Sequence, residues 1–145
     1  RLLRASLHSS IDIALNARRV MILADATQIH QVIVNLCTNA AHAMEDEGSL
    51  TVALDEVDLS DKDIANIFAE DAQPGRYLQL SVSDTGQGIP HDMLARIFEP
   101  YFTTKGPSQG TGIGLYMAKT MIEHNMGGRL TACNIDNGAI FRIEL

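Results

Sequence analysis

The 145-residue chain is 46% hydrophobic and 20% charged, with a formal net charge of −7. That length and apolar content suit one domain around one core, and no apolar run approaches the roughly 20 residues of a membrane helix. The acidic balance argues against a general nucleic-acid surface, which clustered Lys and Arg would have to supply. Any contact with phosphate must therefore be local. The opening Arg1-Leu2-Leu3-Arg4 is too short for a signal peptide and lacks a small-residue cleavage site, so the sequence is expected to be a stretch of a longer protein. Cys37 and Cys133 fall in apolar periodic segments rather than in a CxxC pair, which predicts two buried free thiols and a reducing, cytoplasmic setting.

Residues 11–15 and 20–23 are short runs with β-branched content on either side of the polar stretch 16–19, a pattern compatible with a hairpin. Asp25-Ala26-Thr27-Gln28 reads as a capping box, with Asp25 accepting from backbone amides and Gln28 reaching back. Ile29, Val32, Ile33, Leu36, Ala40 and Ala43 follow at helical spacing to about Met44, ahead of Gly48. Leu50, Val52 and Leu54 alternate with smaller or polar residues as in a half-buried strand, and the acidic, weakly periodic stretch 59–73 reads as an irregular connection. Pro74-Gly75 marks a turn into a strand over 77–84, in which Leu78, Leu80, Val82 and Asp84 share one face. Ile89-Pro90 opens a short helical piece to about Ile97, and residues 98–112, rich in Gly, Thr, Ser and Pro, are expected to be mobile. A second helix from Ile113 carries Leu115, Ala118, Met121 and Ile122 on one stripe and stops at Gly127-Gly128. Strands over 130–134 and 139–145 then flank a turn at Asp136-Asn137-Gly138. This order predicts an α+β fold, a two-layer sandwich in which a mixed, mostly antiparallel sheet carries helices on one face.

Three clusters carry chemistry. On the first helix Gln28, Gln31, Asn35, Asn39 and His42 form a polar band beside the apolar stripe, at about 100° per residue. Asn is a mediocre helix former, so two of them one turn apart need a reason. A neutral oxygen such as that of Asn39 can join a Mg²⁺ ion that takes its other ligands from phosphates and water; a polar helix flank is the plainer alternative. In Asp84-Thr85-Gly86-Gln87-Gly88-Ile89, a carboxylate at the end of an inward row must be met by donors, and the exocyclic amine of a purine is one. Gly86 and Gly88 leave room for a flat ring, although an ordinary Asp-Thr-Gly turn accounts for the same letters. Gly110-Thr111-Gly112-Ile113-Gly114-Leu115 runs a glycine-rich loop into a helix, where bare backbone amides can hold an anion or serve only as a linker. Neither a Walker loop nor a dinucleotide fingerprint fits, since no Gly-Lys-Ser/Thr follows and His91 stands where a third Gly would.

In order and spacing, residues 31–44 (QVIVNLCTNAAHAM), 84–90 (DTGQGIP), 97–105 (IFEPYFTTK) and 110–115 (GTGIGL) resemble the N, G1, F and G2 boxes of the sensor histidine kinase catalytic domain. That family belongs to the ATPase superfamily shared with gyrase, the mismatch-repair protein MutL and the heat-shock chaperone ATPases. The resemblance covers nearly the whole chain. It implies a Bergerat-type ATP-binding fold over residues 11–145, with residues 1–10 as the tail of a linker from an upstream dimerisation and phosphoacceptor domain.

By this resemblance the cofactors are ATP and Mg²⁺. Asp84 receives the adenine amino group, Gly86, Gly88 and Ile89 shape the base pocket, and Asn39 ligates the metal, with Asn35 lining the same site. His42 stands where many members have a phosphate-facing Lys or Arg, a role open beside that of a solvated histidine. Phe98 and Phe102 anchor the lid, Lys105 offers charge to the γ-phosphate, and Gly110, Thr111, Gly112, Gly114 and Leu115 close over the phosphates. Members that hydrolyse ATP begin the N box with Glu; Asn35 cannot act as a general base, which favours transfer to a histidine over hydrolysis. Gly138-Ala139-Ile140-Phe141 departs from the usual Gly-Thr-x-Phe by losing a hydroxyl. None of the five histidines sits in a phosphoacceptor motif, so the implied nucleophile lies on the upstream domain and the onward acceptor is a response regulator. A nucleotide-sensing module without transfer and a serine kinase of the anti-sigma-factor type remain as alternatives.

Overall fold

The computed structural model describes residues 7, 9–17, 19, 24–67, 73–102 and 112–145. Five strands, β1 (Ile11–Ala17), β2 (Gly48–Leu59), β3 (Gly75–Asp84), β4 (Arg129–Ile135) and β5 (Gly138–Glu144), form one sheet in the order β1-β2-β3-β5-β4. Only the β1–β2 pair is parallel; the other three pairs are antiparallel. Helices α1 (Ala26–Ala43) and α3 (Gly114–Thr120) bury their apolar stripes on one face, which gives the expected two-layer α+β sandwich. The pairing expected between 11–15 and 20–23 falls on residues outside those described, whereas β1 aligns Ile11 with Gly48 of β2.

The core follows from the period of each element. Alternate residues of β2, β3 and β5 point inward, and the register sets Val52 opposite Val82 and Val82 opposite Phe141. From above, Val32, Leu36, Cys37 and Ala40 of α1 with Ala118 and Ile122 meet that row. Each fully buried large side chain, such as Leu36, Leu50 or Phe141, contributes about 1.5–3 kcal/mol on leaving water. Cys37 lies in this core, as expected, but Cys133 is exposed: it projects from the outer end of the edge strand β4, away from the helices.

Helix boundaries show where local chemistry decides. Asp25 caps α1 by accepting from Thr27 N (2.8 Å) and Gln28 N (3.2 Å). Gln28 does not complete the box, because its oxygen accepts from Asn125 (3.3 Å) near the end of the second helical segment. At the other end Asp46 N donates to Ala41 O (2.9 Å), and Glu45 and Asp46 take φ of 54° and 61°, so the reversal is made without glycine. Within the stretch expected to be irregular, residues 61–67 form helix α2 (Asp61–Ile67). Ser60 N and Ser60 Oγ both donate to Asp63 Oδ2 (2.9 and 2.8 Å), a cap formed with Asp in place of Glu, and Ile64 is buried beneath it. Helix α3 continues into a π-helical turn, Met121–Asn125, before the glycine pair at 127–128 ends it.

Candidate active site

Asp84 ends the inward row of β3 and is only 3% exposed. Two backbone donors converge on its Oδ1: Gly86 N (2.9 Å) and Ala139 N (3.4 Å). Burial pushes its pKa up, and those two amides offset part of the shift. Among the described residues no donor reaches Oδ2, so a carboxylate in a poorly solvated place has half its acceptor capacity to offer.

Glycines let the neighbouring backbone pack tightly around Asp84. A Cβ on Gly86 would stand 2.5 Å from Ala43 O and 3.0 Å from Asp84 Oδ1, and one on Gly138 would collide with the backbone oxygen of Asp84. Gln87 N donates to Ala43 O (3.3 Å), which docks the 85–88 loop on the end of α1. A cavity of about 440 Å³ opens between this loop and the β4–β5 turn, walled by residues 85–88 and 134–138. Asn35 and Asn39 are not among its walls.

The polar band of α1 runs to the start of α3. Asn35 Nδ2 donates to Gly114 O (3.3 Å), and Asn35 Oδ1 accepts from Gln31 Nε2 (3.0 Å), so this amide ties two helices together. Asn39 and His42 lie half-buried further along the same band. No group of three or more His, Cys, Asp or Glu side chains gathers among the described residues.

The stretch after Pro90 is a 3-10 turn (His91–Met93) and successive turns that bring aromatics to the core's edge. Phe98 packs edge-on against Phe141, with ring centroids 6.3 Å apart, and the Arg96 guanidinium lies 4.5 Å from the Phe102 centroid. Tyr101 N donates to Gly112 O (2.9 Å), which joins the described residues on either side of 103–111. Gly112 has φ +71°, and a Cβ there would collide with the Tyr101 backbone. Lys105, Gly110 and Thr111 lie outside the described residues. Leu115 is half-buried and packs on the core.

One residue of this region went unread in the sequence. Asn134 Oδ1 accepts from Ile89 N and Asn134 Nδ2 donates to Ile89 O, both at 2.7 Å. A lone Asn at a strand's end gives no signal of a partner 45 residues away.

A family model described as histidine kinase-, DNA gyrase B-, and HSP90-like ATPase matches residues 24–145. The chain belongs to this family. As an ATP-binding catalytic domain of the histidine kinase type, it is 38% identical over 122 residues to the sensor kinase CckA of Brucella abortus, covering 84% of this chain and 13% of that protein. It is 38% identical over 131 residues to the two-component sensor PprA of Pseudomonas aeruginosa, covering 88% and 13%. With the sensor histidine kinase ZraS of Salmonella typhi it shares 37% over 125 residues, covering 86% and 23%. The domain thus spans between 13% and 23% of the length of these curated relatives.

Solved structures agree on the fold. The mycobacterial sensor histidine kinase MprB superposes with a TM-score of 0.77 at 22% identity, covering 99% of this chain and 86% of that one. The catalytic domain of the histidine kinase ThkA gives 0.72 at 29% identity, covering 99% and 83%. Among the described residues no helix is long and apolar enough to cross a membrane.

Proposed function

We propose that this domain holds Mg-ATP with its base at Asp84 and its phosphates between α1 and the loop before α3, and supplies the γ-phosphoryl group to a histidine on a separate dimerisation domain. The observation that carries the base assignment is the Asp84 carboxylate, which accepts two backbone N–H groups at Oδ1 and, among the described residues, none at Oδ2. An adenine amino group is the complementary donor. Gly86, Gly88 and Ile89 shape the wall beside it. Asn39 offers the metal one neutral oxygen, and Mg²⁺ supplies charge neutralisation across the phosphates. Lys105 and His42 are the candidates to face the γ-phosphate, with Gly110, Thr111, Gly112 and Gly114 presenting backbone amides from the loop.

Transfer rather than hydrolysis follows from Asn35. Its amide has no basicity near neutral pH and is engaged on both sides by Gln31 and Gly114, so it positions α3 and does not activate water. The nucleophile must then be delivered in line by docking of the phosphoacceptor domain. The names of the relatives as sensor kinases support this reading, as does a structure of ThkA solved in complex with the response regulator TrrA; a receiver domain of that kind is the proposed onward acceptor. The upstream linker, the cytoplasmic setting and the domain boundary near residue 11 belong to the same proposal.

Two measurements test it. Calorimetry should detect Mg-ADP binding to the 145-residue chain and lose most of it in Asp84→Ala; unchanged affinity in the variant would remove the adenine assignment. With γ-labelled ATP, the chain alone should gain no phosphohistidine, whereas adding a separately purified phosphoacceptor domain should yield one. Nucleotide binding without any transfer would point to a sensing module.

A further inference from the structure

We propose that Asn134 is a positioning residue that clamps the base-side loop of the nucleotide pocket through Ile89; the proposal rests on the nucleotide reading above. Residues 85–90 form no regular secondary structure. Their backbone is pinned at three points to three different elements. Gly86 N reaches the Asp84 carboxylate of β3, Gln87 N reaches Ala43 O of α1, and Ile89 binds Asn134 of β4.

The third pin differs in kind from the other two. One side chain satisfies both the N–H and the C=O of the same residue, at 2.7 Å each. That is the pattern a neighbouring strand would make, reproduced by one planar amide toward a loop that joins no strand. Among side chains only Asn and Gln place a donor and an acceptor side by side in one plane, and the Asn stem fixes the reach. Asp keeps the acceptor for Ile89 N–H but sets a carboxylate oxygen against the Ile89 carbonyl. Gly88 fits the same contact: at φ +75° its absent Cβ would lie 3.0 Å from Asn134 Oδ1. The loop and the amide are packed together with no room for a side chain between them.

Asn134 also stands in the cavity wall, but both of its amide hydrogen bonds go to Ile89, so its effect on nucleotide runs through the loop. Without Asn134, the stretch after Gln87 loses its anchor to β4, and the loop keeps its pins at Asp84 and, at the longer 3.3 Å, at Ala43. The free domain then spends less time with Gly86, Gly88 and Ile89 placed for the purine, and apparent affinity falls by that fraction.

The test is calorimetric titration of Mg-ADP into the 145-residue chain as wild type, Asn134→Ala, Asn134→Asp and Asp84→Ala, reading affinity and stoichiometry separately. A clamp predicts Kd about tenfold weaker in Asn134→Ala, with stoichiometry still near one. A merely structural role predicts the reverse, a lower stoichiometry from misfolded protein with Kd unchanged, and that result overturns the proposal. Asn134→Asp is nearly isosteric and carries the test if the alanine variant does not fold. It should bind as weakly as Asn134→Ala, and wild-type affinity there would show that the donor to Ile89 O has no role. If wild type binds and Asp84→Ala does not, while both Asn134 variants match wild type, the nucleotide reading stands and the clamp falls. If wild type itself binds no ADP, both fall.

Discussion

The ammonium nitrogen of Lys119 stands 4.5 Å from the centroid of the Phe98 ring and 3.5 Å from Glu123 Oε2. Lys119 belongs to α3 and Phe98 to the turns after Pro90, so one cation joins the chain segments on either side of residues 103–111. Glu123 is in turn held by Arg129 Nη1 (3.4 Å) and by Leu130 N (3.2 Å), which extends the link to β4. Lys119→Met keeps the bulk of the stem and removes the charge. The side chain is 31% exposed, so solvent screens part of the interaction, and a loss of about 0.5–1 kcal/mol is expected. Urea unfolding monitored by circular dichroism measures it, and an unchanged midpoint would reduce the contact to packing.

Glu45 sits at the reversal after α1 with φ 54°, a conformation in which a β-carbon is crowded. Glu45→Gly should therefore stabilise the domain by about 0.5–1 kcal/mol, the relief of crowding exceeding the entropy glycine adds to the unfolded chain. The expected signature is a higher denaturant midpoint with an unchanged slope. A lower midpoint would mean that the glutamate side chain stabilises the turn by more than its backbone costs.

The Asp84 carboxyl is raised above its ordinary pKa, chiefly by burial. With the folded value above the unfolded one, the folded chain binds the proton more readily. Its contribution to stability is fully present below the unfolded pKa and is lost as pH rises through the folded pKa. Asp84→Asn resembles the protonated acid and can still accept from Gly86 and Ala139. Ligand-free Asp84→Asn should be more stable than wild type at pH 7, with the difference shrinking toward pH 4. Glu144, also raised by burial, is present in both proteins and cancels in the comparison. Urea titrations at several pH values check this, and a gap that grows on acidification would contradict it.

The two thiols should react differently. Burial pushes the Cys37 thiol up to about 11, and none of its side chain meets solvent, whereas Cys133 is exposed on β4. Because the thiolate is the nucleophile, iodoacetamide at pH 8 should alkylate one site in the native protein, at Cys133, and a second only after unfolding. Peptide mass spectrometry distinguishes the sites; rapid labelling of Cys37 in native protein would show that the core around α1 opens.

Much of this domain could be read before it was folded, because the readable features are local. The inward row Leu78, Leu80, Val82 and Asp84 needs only the two-residue period of a strand, and the stripe of α1 only the helical period. The turn at 136–137 and the stop at 127–128 likewise follow from residues in place. Helix α2 was legible too, through Ser60 and Asp63, but its acidic and weakly periodic surroundings hid it.

What the letters could not state is which distant groups meet. A period tells which way a side chain faces and not what stands opposite; register and sheet order decide that. The parallel seating of β1 on β2 depends on such pairing. So does the convergence of Gly86 and Ala139 on one oxygen of Asp84, which needs β5 beside β3. The clamp of Asn134 on Ile89 exists because β4, at the far edge of the sheet, ends level with a loop 45 residues earlier in the chain. A hydrogen bond forms or fails within a few tenths of an ångström, a precision that composition and spacing do not carry and that only the packed sheet supplies.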